Sequence, residues 1–374
     1  MRKGLLARPG SAHSVWVKQA NTSSDAPRPL RVGLVSSVGG HLKELLELLP
    51  LLTRCDVFLV LNDEAPWLSP DALPALPSLR RYRIVHAERD VRQLVNLGEA
   101  AYLLLRERPD LLISTGASPA VPFFLLGRIL GICTLFIEDF NLVERPSLTA
   151  RLVYPLAQHF FVQWPQLQAV FPRARYAGSL FVPSQIQPSR PAALAAGADV
   201  PSLFVALGTS DRPMTRLLHW LDELIEANAI AGPVVVQGAL GGYLPRHFRS
   251  VPVLPEPLLI DHLQHAQRVL CHGGCGVLGT CMKLGRRPLA IPRRADAGEA
   301  INDHQIMLCR ALSDQGYATL CQSKADLLAA LARPEPLLSL PSEAAENQAH
   351  ASSLHAAVGQ ILSDLAQKIG RRPT

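Results

Sequence analysis

Two short stretches hold the residue types that do chemistry. SSVGGH, Ser36 to His41, follows the apolar run RVGLV, and HGGCG, His272 to Gly276, follows RVLC. Glycine at the end of a strand lets backbone amides approach a ligand that a Cβ would hold away. Amides opening onto a following helix favour phosphate. A histidine in the same turn adds a group whose ordinary titration lies near neutrality. Three further turns pair a strand end with small or hydroxyl residues: STGASPAVP (Ser114 to Pro122), ALGTSDRP (Ala206 to Pro213) and VVQGALGG (Val235 to Gly242). Ligands of open α/β sheets sit outside the carboxyl ends of the strands. Five such ends imply a cleft for a nucleotide and a polar partner, although a lone Gly-Gly turn is often just a tight connection. No GxxxxGK[ST] is present, which excludes a P-loop NTPase, and the GxGxxG dinucleotide fingerprint is missing after the first strand, where the residues read SSVGGH.

The elements that must position these turns alternate. RVGLVSS, DVFLVL, RYRIVH, DLLIST, TLFIED and HFFVQ read as strands, interleaved with the helical runs HLKELLELLPLL, VRQLVNLGEAAYLLLRER, a helix from Pro119, and LTARLVYPLA. A second series runs from SLFVALG to ATLCQ and DLLAALA, and EAAENQAHASSLHAAVGQILSDLAQ is a long last helix. Such alternation predicts α/β architecture with doubly wound parallel sheets. The expected division is a mobile arm over 1–29 and a first Rossmann-like domain over 30–180. A Pro/Ser/Ala-rich linker over 181–202 leads to a second Rossmann-like domain over 203–342. Residues 343–374 form a helix and tail crossing back to the first domain.

The 374 residues carry a net charge of +6, which points to an anionic partner. The arginines are dispersed and no nucleic-acid motif appears, so a phosphorylated substrate or an acidic membrane surface is the expected partner. The first stretch lacks a proper apolar h-region, which with seven cysteines reads as a reducing, cytoplasmic setting with free thiols. Cys271, Cys275 and Cys281 match no zinc spacing, so no metal is expected. Pro119 to Ile137 is the nearest approach to a membrane span and is interrupted by Arg128. It reads as a buried helix plus a core strand, or as a helix lying at a membrane interface with Arg128 reaching the head groups.

The order of motifs adds a resemblance. SSVGGHLKEL, STGASPAVP, FIEDFNLVERPSLTARLVYPLAQHFFVQWPQL and YAG resemble the acceptor-side subunit of the two-subunit UDP-sugar transferases. These include the dolichol-linked N-acetylglucosamine transferase and bacterial exopolysaccharide glucuronosyl- and galactosyltransferases. LFVALGTSDRPMTRLL, VVVQGA, VLCHGGCGVLGT, RRPLAIPRR and GEAINDHQ resemble the donor-side subunit, so the chain is similar to both halves fused. The resemblance spans about Arg31 to Ala332. It implies a GT-B fold and an inverting, metal-independent transfer from a UDP-sugar, without a cofactor, to a polyprenyl-diphosphate-linked saccharide. The implied location is peripheral, on the cytoplasmic face of the inner membrane.

Under this resemblance the donor diphosphate is compensated by amides and basic groups at Gly208, Thr209, His272, Gly273, Gly274 and Gly276. Gln237, Thr280, Glu299, Asp303 and Gln305 complete the donor site. The acceptor side is Gly39, Gly40, Ser114, Thr115 and Gly116. The base is His41, whose alternative roles are to hold the acceptor diphosphate or cap a helix. Glu138 is the alternative base, or else holds an arginine such as Arg145 or Arg151, with Asp139 and Glu144 behind it. One departure stands out: the Ser/Thr and Glu that the family places after the glycine turn are Val277 and Thr280 here, which puts the ribose contact on Thr280 or Glu299. Arg293–Arg294 beside the donor loop favour glucuronic acid as the sugar, with GlcNAc, galactose and glucose as alternatives. A UDP-GlcNAc epimerase and a non-catalytic scaffold are the competing functions.

Overall fold

The computed structural model describes residues 28–62, 79–87, 91–181, 200–333 and 342–370. The first sheet comprises β1 (Arg31–Ser36), β2 (Asp56–Leu61), β3 (Arg80–Arg83), β4 (Leu111–Ser114), β5 (Cys133–Ile137), β6 (His159–Val162) and β7 (Arg175–Tyr176). Their order is β3-β2-β1-β4-β5-β6-β7, and every pairing is parallel. The second comprises β8 (Leu203–Ala206), β9 (Val234–Gln237), β10 (Arg249–Val251), β11 (Arg268–His272), β12 (Leu289–Ile291) and β13 (Thr319–Leu320). It is also wholly parallel, in the order β10-β9-β8-β11-β12-β13. Each sheet winds outward in both directions from a central pair, β1/β4 in one and β8/β11 in the other. The expected α/β class with two doubly wound parallel sheets is what forms.

The central strands are near-continuous apolar runs because helices cover both of their faces. On one face of the first sheet lie α2 (Arg92–Glu107), α3 (Ala120–Ile129) and α4 (Leu148–Val153), whose buried residues include Leu103, Leu104, Phe123, Phe124 and Val153. The other face takes α1 (Gly40–Leu46) through Leu42 and Leu45. That face also receives the last helix, α10 (Ser342–Gly370), through Leu354, Val358, Ile361 and Leu362. Their spacing of four, three and one places them on a single helical stripe. The crossing-back expected of the C-terminal helix is thus observed. The second sheet is covered by α5 (Thr215–Glu226) and α9 (Lys324–Leu331) on one side. On its other side lie α6 (Glu256–His265), α7 (Cys275–Lys283) and α8 (His304–Asp314).

Some local expectations shift. The run HLKELLELLPLL divides into α1 and a separate 3-10 turn over Leu49–Leu52, where Pro50 cannot continue an α-helix. LTARLVYPLA stops at Val153, just ahead of Pro155. The arm falls outside the described residues up to 27, but its end at Arg28 is tied to Asp110 by paired hydrogen bonds of 2.7 and 2.8 Å. The linker likewise lies outside them over 182–199. Phe181, counted with it, is buried and stacks edge-on against Phe140, with ring centroids 5.3 Å apart.

Candidate active site at the two glycine turns

The central strand pairs decide where the turns meet. SSVGGH follows β1 and STG follows β4, so both lie where the first sheet reverses its winding. GTS follows β8 and HGG follows β11, at the same point of the second sheet. Crevices at such switch points are where open α/β sheets bind ligands. The two sites face one another closely: a Cβ on Gly40 would stand 2.8 Å from the Cys275 sulfur, and one on Gly276 would stand 2.7 Å from Cδ of Lys43. Asn141, from the loop after β5, crosses to the second half and accepts from the Cys275 N–H at 3.1 Å. It thereby supplies the cap that Gly274, the N-cap of α7, has no side chain to make. Lys283 and Glu47 add an ion pair of 2.8 Å across the same boundary.

His41 is the most developed group in the crevice. Its Nδ1 lies 3.1 Å from the Thr115 carbonyl and 3.5 Å from Oδ2 of Asp139. Both neighbours only accept, so the ring carries its proton on Nδ1 and its lone pair on Nε2. Gly116, at φ 129°, makes room for the ring, because a Cβ there would come within 2.9 Å of it. The Thr115 hydroxyl donates to the His41 carbonyl at 2.6 Å, and the Ser114 hydroxyl accepts from the Gly116 N–H at 3.1 Å. Ser114 and Thr115, expected to bind acceptor, are therefore buried and spent on building the seat of His41.

Asp139 stands behind His41. Its Oδ1 accepts from the backbone N–H and Nδ2 of Asn141, both at 2.8 Å. Burial opposes its charge, but His41, a hydrogen bond from Glu44 and the Asn141 N–H outweigh it and hold the carboxyl below its ordinary range. Glu138 is different. It is wholly buried, and its oxygens accept from the backbone N–H (3.0 Å) and hydroxyl (3.3 Å) of Ser147, the N-cap of α4. Burial pushes it up to about 8. Glu138 thus braces a helix start and holds neither Arg145 nor Arg151.

On the donor side His272 is clamped. Its Nδ1 donates to the Ala206 carbonyl at 3.2 Å, and Cβ atoms on Gly208 and Gly274 would fall 2.4 and 2.3 Å from its ring. Burial first, then the charge of Arg293, depresses it to about 3, so it is neutral. Gly273 packs against Cys309 and Gln305, while Thr209 is exposed at the mouth of the loop. Gln237 donates weakly to the Gly208 carbonyl (3.4 Å) and has a buried Oε1 without a partner. Asp303 accepts from the Ala295 N–H, and Gln305 from the Arg293 N–H.

Three donor-side residues are engaged by the protein itself. The Arg293 guanidinium is buried and donates to the carbonyls of Leu207 (2.8 Å), Glu299 (3.2 Å) and Arg212 (2.5 Å), while its Nε is buried without a partner. Glu299 is likewise buried and paired with Arg216 through two hydrogen bonds of 2.9 and 3.0 Å. Thr280 donates to the Gly276 carbonyl of its own helix at 2.7 Å. Sequence reading missed His304, although it flagged both neighbours. Its charge environment is set by burial, then by Asp139 and His41, which places it opposite that pair. It also missed Arg216, Asn141 and Glu44. The DHQ stretch was a signal for His304; the others are defined by partners far away in the chain.

Glu44, Asp139 and Cys275 bring two oxygens and a sulfur within 4.8 Å of one another. Phe140 N–H, Gln163 and Asn141 donate into that group, and burial holds the thiol protonated, so its chemistry is that of a hydrogen-bonded node.

With this geometry in view, comparison with known proteins is informative. Residues 77–180, running through β3 to β7, match the family model described as oligosaccharide biosynthesis protein Alg14 like. A mouse UDP-N-acetylglucosamine transferase subunit ALG14 is 28% identical over 181 residues, covering 40% of this chain and 83% of that protein. The human counterpart is 24% identical over 194 residues, covering 44% and 90%. Among solved structures, Acinetobacter baumannii MurG superposes with a TM-score of 0.56 at 18% identity, covering 91% of this chain and all of that one. The glycosyltransferase SnogD from Streptomyces nogalater gives 0.56 at 18%, covering 90% and 99%. A Methanocaldococcus jannaschii UDP-GlcNAc 2-epimerase gives 0.60 at 12%, covering 88% and 99%. The fold is GT-B.

Proposed function

We propose that this chain is an inverting, metal-independent glycosyltransferase that moves a sugar from a UDP-sugar to a saccharide carried on a polyprenyl diphosphate. The observation that carries the reading is the His41 arrangement. A ring nitrogen with its lone pair on Nε2 stands at one switch point, Asp139 supports its protonated form, and the N-terminus of a donor-side helix faces it. In the displacement, Nε2 takes the proton of the acceptor hydroxyl as that oxygen attacks the anomeric carbon, and the sugar–phosphate bond breaks. The Asp139 carboxylate steadies the resulting imidazolium. Negative charge on the departing diphosphate is met by the amides at the start of α7.

The acceptor class is supported by an outer face. α2, α3 and α4 pack side by side and expose Leu94, Val95, Leu105, Ile129, Leu148 and Leu152. Arg92, Arg128 and Arg151 are exposed on the same helices. Apolar residues interleaved with arginines suit an anionic lipid surface. Among the described residues no helix is long and apolar enough to cross a membrane, and we read the attachment as peripheral, on the cytoplasmic face of the inner membrane. With Arg293 buried against three carbonyls and Arg294 paired with Asp296, the argument for glucuronic acid weakens. UDP-GlcNAc becomes the first donor to try, in keeping with the names of the matched relatives, and UDP-glucuronate, UDP-galactose and UDP-glucose follow.

The test is UDP release and product analysis with each donor and a membrane fraction rich in polyprenyl-linked saccharides. Transfer with a β-linked product, abolished by His41→Ala, is the expected result. A 2-epimer of the sugar formed without acceptor would replace this reading with an epimerase. UDP-sugar binding without turnover would replace it with a scaffold.

A further inference from the structure

Glu44 lies one turn beyond His41 on α1 and is wholly buried behind the site. Its carboxyl accepts from the Phe140 N–H at 3.2 Å and from Nε2 of Gln163 at 2.7 Å. Gln163 is itself fixed, donating to the Glu138 carbonyl at 3.0 Å and accepting from the Leu180 N–H at 2.8 Å. The titratable groups facing this node are Asp139 and Glu138 from the end of β5, Cys275 from α7, His41 on α1 itself, and His304 from α8 across the crevice. Among these, only the histidines become cations, and His41 faces Asp139.

Two carboxyls held this close in a dry setting do not both ionise; one keeps a proton. Asp139 receives two hydrogen bonds from Asn141 and faces His41, so it is the site that carries the charge. The proton belongs to Glu44, one of whose oxygens lies within 4.8 Å of an Asp139 oxygen. We propose that Glu44 is a positioning residue of the His41–Asp139 pair. As a neutral acid it donates to Asp139, fixing that carboxylate against His41 and moderating the charge the histidine feels. This deepens the transferase reading and rests on it. Burial, followed by the charge of Asp139, pushes the Glu44 carboxyl well above its ordinary range, in keeping with that role.

The test uses Glu44→Gln and Glu44→Ala in the full chain, with three readouts. A glutamine keeps a donor toward Asp139 and an acceptor toward Phe140 and Gln163, whereas alanine keeps neither. In a Glu138→Gln background, infrared spectra at neutral pH should show a carboxylic-acid carbonyl band that Glu44→Gln removes. Titration of His41 by NMR should be unchanged in Glu44→Gln. In Glu44→Ala it should move upward by about one pH unit, because Asp139 loses a donor and attracts the proton more strongly. The acid limb of kcat/KM should follow the same order, with kcat retained within about twofold in Glu44→Gln and lowered roughly tenfold or more in Glu44→Ala. Absence of the infrared band would overturn the proposal. So would a folded Glu44→Gln as impaired as Glu44→Ala, or a His41 titration that Glu44→Ala leaves unmoved. If Glu44→Ala does not fold, the infrared band and the glutamine variant still decide. If the wild type transfers no sugar, the functional reading fails, while the infrared and NMR results still judge Glu44.

Discussion

The two histidines of the glycine turns are built alike and sit in opposite surroundings. His41 lies in the turn after a central strand and His272 ends one, and each donates through Nδ1 to a carbonyl at the end of the neighbouring central strand: His41 to Thr115, His272 to Ala206. In both, glycine makes room for the ring. The surroundings then diverge. His41 keeps a quarter of its side chain exposed and has a carboxylate, Asp139, as its charged neighbour. His272 is buried between two loops with Arg293 nearby, which holds it neutral down to about 3. A carboxylate beside a part-exposed ring favours picking up a proton during reaction. An arginine beside a buried ring forbids it and leaves a rigid spacer that orders two loops.

The sharpest way to break this comparison is to remove each ring. His41→Ala should lower kcat by about a hundredfold to ten-thousandfold, with UDP affinity unchanged by calorimetry. His272→Ala should instead weaken UDP binding and lower the melting temperature, because Gly208 and Gly274 lose the ring that spaces them. Equal losses of kcat in both would erase the distinction. Asp139→Asn tests the charge and should cost less, on the order of ten to a hundredfold in kcat/KM. Without the carboxylate His41 protonates less readily, so the acid limb of the pH–rate profile should move to lower pH; an upward move would contradict the assigned pairing.

Glu138 sharpens the contrast between the two carboxyls at the end of β5. Its folded-state titration is raised from 4.5 to about 8, so the folded protein binds the extra proton and stability falls as pH rises through that interval. Glu138→Gln should flatten that fall in denaturant midpoints measured from pH 5 to 8 and leave kcat within about twofold, whereas a base at this position would lose activity. The smallest expected effect is on specificity. Arg293→Ala should reduce thermal stability, since three carbonyls lose their donor. The ratio of UDP-GlcNAc to UDP-glucuronate turnover should stay unchanged.

Several of these distinctions were readable before any coordinates. Glycine and histidine at the strand ends located the crevice. The departure at Thr280 was visible as a missing carboxylate. Arg293 shows where such reading stops: a guanidinium beside a donor loop looks available in one dimension, yet its partners at Leu207 and Arg212 lie more than eighty residues away. Glu299 was flagged for its place in the GE…DHQ stretch, but Arg216, 83 residues earlier, claims it. Glu44 reads as one more polar residue of an amphipathic helix until Phe140 and Gln163, 96 and 119 residues on, close over it.

The sequence by itself determined the alternation of strand and helix, the repetition of that series in two halves, and the positions of the turns. These follow from local periodicity and from the backbone freedom of glycine, which act over a few residues. Only the tertiary structure decided which polar groups face the crevice and which are consumed in holding it. That choice depends on burial and on hydrogen-bond partners brought together by sheet order, and sheet order is set by packing across the whole chain.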